Sequence, residues 1–83
     1  MYFKNELKNA ALVMSDIFDS EVEMDTTIYI LDGRMVAIDE DSAEEAGGAI
    51  RKTTFGRYAE AFYRKYGRAP EMEYAGDGVA YAG

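Results

Sequence analysis

The sequence predicts an α+β fold: an N-terminal helix, an antiparallel β-hairpin, a broken second helix and a short C-terminal strand. Three observations carry this. Apolar residues recur at helical spacing from Phe3 to Phe18, two β-branched and aromatic runs flank Asp32-Gly33, and an aromatic stripe at helical spacing runs from Phe55 to Tyr66. A chain of 83 residues and 9.3 kDa should expose roughly 5,000 Å² when folded against about 13,500 Å² when extended. That supports one modest core, so residues 1–83 are expected to form a single small domain. With 48% hydrophobic residues and one proline, the chain has far more to bury than a disordered segment has.

The first helix rests on Phe3, Leu7, Ala10, Met14, Ile17 and Phe18, which share one side of a helical wheel, while Lys4, Lys8, Asn9 and Asp16 occupy the other. Leu12 is the misfit, expected at the surface. The next two runs, 26–31 and 34–39, flank Asp-Gly, a pair suited to the positive φ that both centres of a type I′ turn require. A two-residue turn sets Ile30 opposite Met35, Tyr29 opposite Val36, Ile28 opposite Ala37 and Thr26 beside Asp39. Both faces are then apolar, with Ile28, Ile30, Met35 and Ala37 on one and Tyr29, Leu31, Val36 and Ile38 on the other. Such a hairpin needs helices on both sides or a partner on one. Covering from within the chain is favoured, with a dimer or target interface next.

Ser42-Ala43-Glu44-Glu45 reads as a capping box that starts the second helix. That helix cannot run unbroken to residue 66, because Ala43, Ala46 and Ile50 point away from Phe55, Ala59, Phe62 and Tyr66 on a common wheel. Gly47-Gly48 and Thr53-Thr54 weaken the middle, so a kink or break is expected between 47 and 55. The stripe Phe55, Tyr58, Ala59, Phe62, Tyr63 and Tyr66 reads as core, and Gly67 and Pro70 end the helix. The remaining residues read as a third strand, or a small second hairpin about Asp77-Gly78.

Cysteine and histidine are both absent. This removes disulfides, thiolate and imidazole metal sites, and the Ser-His and Cys-His nucleophile pairs. The longest apolar run, 10–14, is far short of the roughly 20 residues that cross a bilayer, and Glu6 interrupts any secretory signal near the start. No membrane partner and a cytoplasmic location are expected.

Net charge is −7, but it is segregated. Residues 1–50 hold 12 acids and three bases, residues 51–70 hold six bases and one acid, and residues 71–83 add three acids. The expected hairpin register brings the chain entering the first strand beside the chain leaving the second. Glu21, Glu23 and Asp25 would then meet Asp39, Glu40, Asp41, Glu44 and Glu45 at the open end. At that density several carboxylates lie within a Debye length, about 8 Å at physiological salt, so their repulsion is felt. One reading is a solvated rim that aids solubility, with Glu44 and Glu45 favouring the helix dipole. The other is a surface that meets a basic groove on another protein, its charges standing in for nucleic-acid phosphates.

No metal or other cofactor is expected. Asp39-Glu40-Asp41-Ser42 passes directly into a helix and lacks the mid-loop glycine and terminal glutamate of a calcium-binding loop. Paired carboxylates for glycoside hydrolysis would need a cleft and a raised pKa, and a crowded exposed set implies neither. Gly76-Asp77-Gly78 and Gly47-Gly48 match no phosphate-binding fingerprint. A non-enzymatic role follows.

Arg57, Arg64 and Arg68, at i, i+7 and i+11, lie opposite the aromatic stripe and could track phosphates. In a chain this acidic, a solvent face balanced by Glu60 is the stronger reading. In size, acidity, lack of cysteine and histidine, and clustering of Glu21 to Asp25 and Asp39 to Glu45, the chain resembles the small phage-encoded inhibitors of bacterial defence, the anti-CRISPR and anti-restriction proteins. The resemblance covers these general properties and no alignable motif. It implies a stoichiometric inhibitor occupying a basic nucleic-acid site on an effector complex. A small nucleic-acid-binding regulator and a structural homodimer are the alternatives.

Overall fold

Residues Tyr2–Phe18 form helix α1, as their apolar stripe requires, with Leu7, Ala10, Ala11 and Met14 buried and Leu12 64% exposed. The computed structural model describes residues 2–32 and 35–82. Among these, α1 is followed by β1 (Thr27–Leu31), β2 (Met35–Ala37), α2 (Glu40–Ala46), β3 (Ile50–Thr54), α3 (Phe55–Tyr66), β4 (Met72–Gly76) and β5 (Val79–Ala82). The strands form one antiparallel sheet in the order β3-β1-β2-β5-β4. The fold is α+β, and its accessible surface of 5370 Å² is close to the value its mass dictates.

The first hairpin differs from expectation by one residue. Leu31 pairs with Met35, Ile30 with Val36 and Tyr29 with Ala37, so residues 32–34 connect the strands. The expected type I′ turn falls partly on Gly33, outside the described residues; Asp32 has φ of 51°. Because side chains alternate, the slip exchanges the faces of β2. Val36 joins Ile28 and Ile30 beneath α1 and α3, while Ala37 and Met35 join Leu31 and Tyr29 on the face that α2 covers. The exchange puts the branched residue under the two long helices. It leaves Ala37 under Ala43, both fully buried, so that the short α2 can lie close to the sheet. Both hairpin faces are thus covered from within the chain.

The expected break in the second helix is larger than a kink. After Ala46 the chain passes through Gly47 and forms β3, which pairs with β1 from Thr27 opposite Thr54 to Leu31 opposite Ile50. β-Branched Ile50, Thr53 and Thr54 suit a strand, and the pairing satisfies the outer edge of β1. Helix α2 is capped by Asp39, not by Ser42 as the capping-box reading has it. The Asp39 carboxylate accepts from the Ser42 amide at 2.7 Å, because Asp39 is the residue still held extended by the end of β2. Thr54 caps α3 in the same way, accepting from the Arg57 amide at 3.3 Å, and Gly67 ends it in the left-handed region.

The aromatic stripe is core only where α3 begins. Phe55, Tyr58 and Ala59 are buried, Phe62 and Tyr63 are half-buried, and Tyr66 is 54% exposed. At the C-terminus the second hairpin forms about Asp77-Gly78, whose φ values of 55° and 74° fit a type I′ turn. Its strand β5 pairs with β2, and β4 forms an edge with an irregularity between Tyr74 and Gly76.

Candidate functional site: an acidic sheet end and a cationic groove

Strand polarity decides what meets at each end of the sheet. The start of β1, the ends of β2 and β3, and the β4–β5 turn all lie at one end, since Thr27 pairs with Thr54 and Ala37 with Val79. Both expected acidic runs approach this end. They then leave it in different directions.

The first run is held on the β3 side. Val22 is buried and its amide donates to the Ser15 hydroxyl at 2.8 Å, which folds the loop back onto α1. The Glu23 amide donates to Thr26 Oγ1 at 2.8 Å, and the amides of Phe55 and Gly56 donate to the carbonyls of Thr26 and Met24 at 2.9 and 2.8 Å. Gly56 permits this approach, because a Cβ there would stand 2.8 Å from the Met24 carbonyl oxygen. Glu21, Glu23 and Asp25 are exposed on this loop. Glu21 holds the Glu23 carboxyl above its ordinary range, by a hydrogen bond to the protonated form and by its charge, and Asp25 adds to the effect.

The second run is held on the β5 side. The ladder between β1 and β2 ends at Tyr29 and Ala37 in the shifted register, so the expected pairing of Thr26 with Asp39 is not made, and the Ile38 amide donates instead to the Gly78 carbonyl at 3.3 Å. Asp39 and Ser42 lie against the second turn, where a Cβ at Gly78 would run into the Ser42 hydroxyl. The Asp39 side chain caps α2, and Glu40, Asp41, Glu44 and Glu45 are exposed along that helix over the opposite face from α1 and α3. Asp41, Glu44 and Glu45 line a shallow surface depression with Ser42. Across the sheet end, Thr26 and Gly78 stand two strand spacings apart, about 10 Å. Glu21, Glu23, Asp25, Asp39, Glu40 and Asp41 therefore form an acidic rim, not one compact cluster. Helix α2 carries Glu44 and Glu45 toward the opposite end of the sheet, where Gly48 stands beside Asp32, so the expected meeting of all eight is not made. Asp77, in the turn beside Asp39, joins the rim; the Asp77-Gly78 hairpin signal was visible in the sequence, but its neighbour was not.

The three arginines are divided. Arg57 and Arg64 line a groove of about 690 Å³ between α1 and α3, together with Lys4 and Lys8 of α1. Arg68 lies instead by Glu6, Asn9 and Pro70, with its guanidinium 5.2 Å from the centre of the Phe62 ring. Glu60 pairs with Arg64 at 2.9 Å, as expected at i, i+4. Lys4 and Lys8 escaped the sequence reading because nothing there says that α1 and α3 share a face. Their two amphipathic stripes were the available signal.

No family model, curated protein or solved structure matches this chain.

Proposed function

We propose that the protein is a non-catalytic binding module whose acidic rim docks on a basic protein surface, in the manner of a stoichiometric inhibitor that occupies the nucleic-acid site of a bacterial defence complex. The observation that supports this reading is that exposed carboxylates from two separate runs, Glu21, Glu23 and Asp25 and then Asp39, Glu40 and Asp41, approach the same end of the sheet together with Asp77. Among the described residues none of the eight expected carboxylates is in an ion pair. Acids left this way repel one another in the free protein, and within the first run the hydrogen bond from Glu21 and the charges of Glu21 and Asp25 hold the Glu23 carboxyl above its ordinary range. A basic partner would relieve it. Charge complementarity of this kind acts mainly on the association rate and on the choice of partner.

The test is capture of a partner from the natural host, followed by competition and salt. The expected partner binds nucleic acid, releases it when this chain binds, and loses the chain as salt is raised from about 50 to 500 mM, since screening shortens the Debye length severalfold. Charge reversal in E21K/E40K/D41K, which spares the Asp39 cap, should slow association by about tenfold or more with little change in dissociation. Binding that is indifferent to salt and to the triple reversal would refute the reading.

A further inference from the structure

We propose that the groove between α1 and α3 is a second docking site, opposite in sign to the acidic rim, for an acidic amphipathic helix of a partner protein. Leu7, Met24 and Ala61 give the groove apolar surface, Lys4 and Lys8 stand on the α1 wall, and Arg57 and Arg64 stand on the α3 wall. Asp25 and Glu60 also line it, so four cations against two acids leave +2 in a chain whose net charge is −7. Glu60 is engaged by Arg64, whereas Lys4, Lys8 and Arg57 make no ion pair among the described residues.

The geometry selects the occupant. Lys4 and Lys8 are about 6 Å apart along α1, and Arg57 and Arg64 about 10.5 Å apart along α3, at 1.5 Å per residue. Cations therefore border an apolar trough on both walls over one to two helical turns. A short helix with an apolar stripe and acids on both flanks complements each element at once: the stripe meets Leu7, Met24 and Ala61, and the flanks meet the two walls. A small organic anion fits less well, because the trough is open to solvent and small-ligand sites bury some 70–90% of their ligand. A nucleic-acid backbone fits less well too. It would offer phosphates to the walls and nothing to the apolar floor, and Arg68, which would extend a phosphate track along α3, lies outside the groove.

The experiment titrates the isotope-labelled chain of residues 1–83 with a synthetic 14-residue helical peptide carrying leucines on one face and glutamates on both flanks. A twin peptide has every glutamate replaced by glutamine. Saturable amide shifts are expected at Lys4, Lys8, Arg57 and Ala61 and not at Glu44 or Glu45, with the twin about tenfold weaker or worse at low salt. K8E/R57E should weaken the acidic peptide by about tenfold or more, and R51E, a charge change outside the groove, should leave it unaltered. The twin comparison leaves the protein untouched, so the proposal stays exposed to failure even if a variant misfolds. Failure to saturate at millimolar peptide, equal binding of the twin, shifts confined to other surfaces, or equally tight binding of a short DNA duplex at the same amides would overturn it.

Discussion

The two faces of the sheet carry the same kind of apolar side chain under very different covers. On one, α1 and α3 bury Met14, Ile28, Val36, Phe55 and Ala59 completely. On the other, the seven-residue α2 contributes a single buried residue, Ala43, and Tyr29 and Met35 remain half-buried at its margins. Farther out on that face, Ile50 is 43% and Tyr81 52% exposed. Charge follows the same division only in part, since Glu21, Glu23 and Asp25 lie on the loop packed against α1 and α3. The cationic groove belongs to the thick cover, and the acids of α2 belong to the thin one, with Lys52 at the β3 edge as its basic exception. The contrast teaches that this fold buries most of its large side chains on one side of the sheet, so substitutions there should cost more than on the other.

That division can be broken most directly at Phe55. Its replacement by alanine should cost about 3–5 kcal/mol, a large share of the roughly 4–12 kcal/mol available to a chain of this length, and urea denaturation should find a much lower midpoint. On the thin side, Tyr81→Ser should shift the same midpoint by less than about 0.5 kcal/mol. Equal losses at the two positions would erase the contrast.

A smaller perturbation targets α2 alone. Gly78 has φ of 74°, and a Cβ there would collide with the Ser42 hydroxyl. Gly78→Ala should therefore cost about 1–2 kcal/mol and displace the start of α2. Hydrogen exchange should quicken through residues 40–46 while α1 and α3 keep their protection.

A third substitution sharpens the thick side. The Tyr58 hydroxyl is buried with no hydrogen-bond partner among the described residues, and burial, aided by the charge of Tyr66, pushes its phenol up to about 12. Tyr58→Phe keeps the ring packing and removes the unsatisfied group, so stability should rise by about 1 kcal/mol. The raised value means the neutral phenol is the form the fold favours. Its contribution is fully present below the ordinary value of 10.0 and is lost as pH rises through about 12, an alkaline loss that the phenylalanine variant should lack.

The smallest effect belongs to Glu23. Its pKa is raised in the folded state, so its contribution is present below the unfolded value and lost as pH climbs through the raised one. Glu23→Gln should be the more stable form at neutral pH, with the two denaturation midpoints converging as pH falls below the carboxylate range. A constant gap across pH would mean that Glu21 and Asp25 do not press on it.

Much of this was legible in the sequence where local physics decides. The apolar stripe of α1, the end of α3 at Gly67 and the second hairpin at Asp77-Gly78 each follow from residues within a turn or two of one another. The segment 50–54 was not legible as a strand, because its best reason to extend is the open edge of β1, whose partners lie from Leu31 opposite Ile50 to Thr27 opposite Thr54, far away in sequence. The register of the first hairpin escaped for a related reason. Asp-Gly argues for a two-residue turn, yet burial of Val36 under two helices and of Ala37 under Ala43 outweighs that preference.

The candidate surfaces divide along the same line. Composition alone determined that this chain has no cysteine or histidine chemistry and that its acids and bases are segregated along its length. Only the tertiary structure decided that Lys4 and Lys8 face Arg57 and Arg64 across one groove, that Arg68 stands apart, and that Asp77 joins Asp39. The physical reason is that charge and periodicity are properties of neighbouring residues. Which surfaces meet is set by the sheet order, and that is fixed by burial summed over the whole chain.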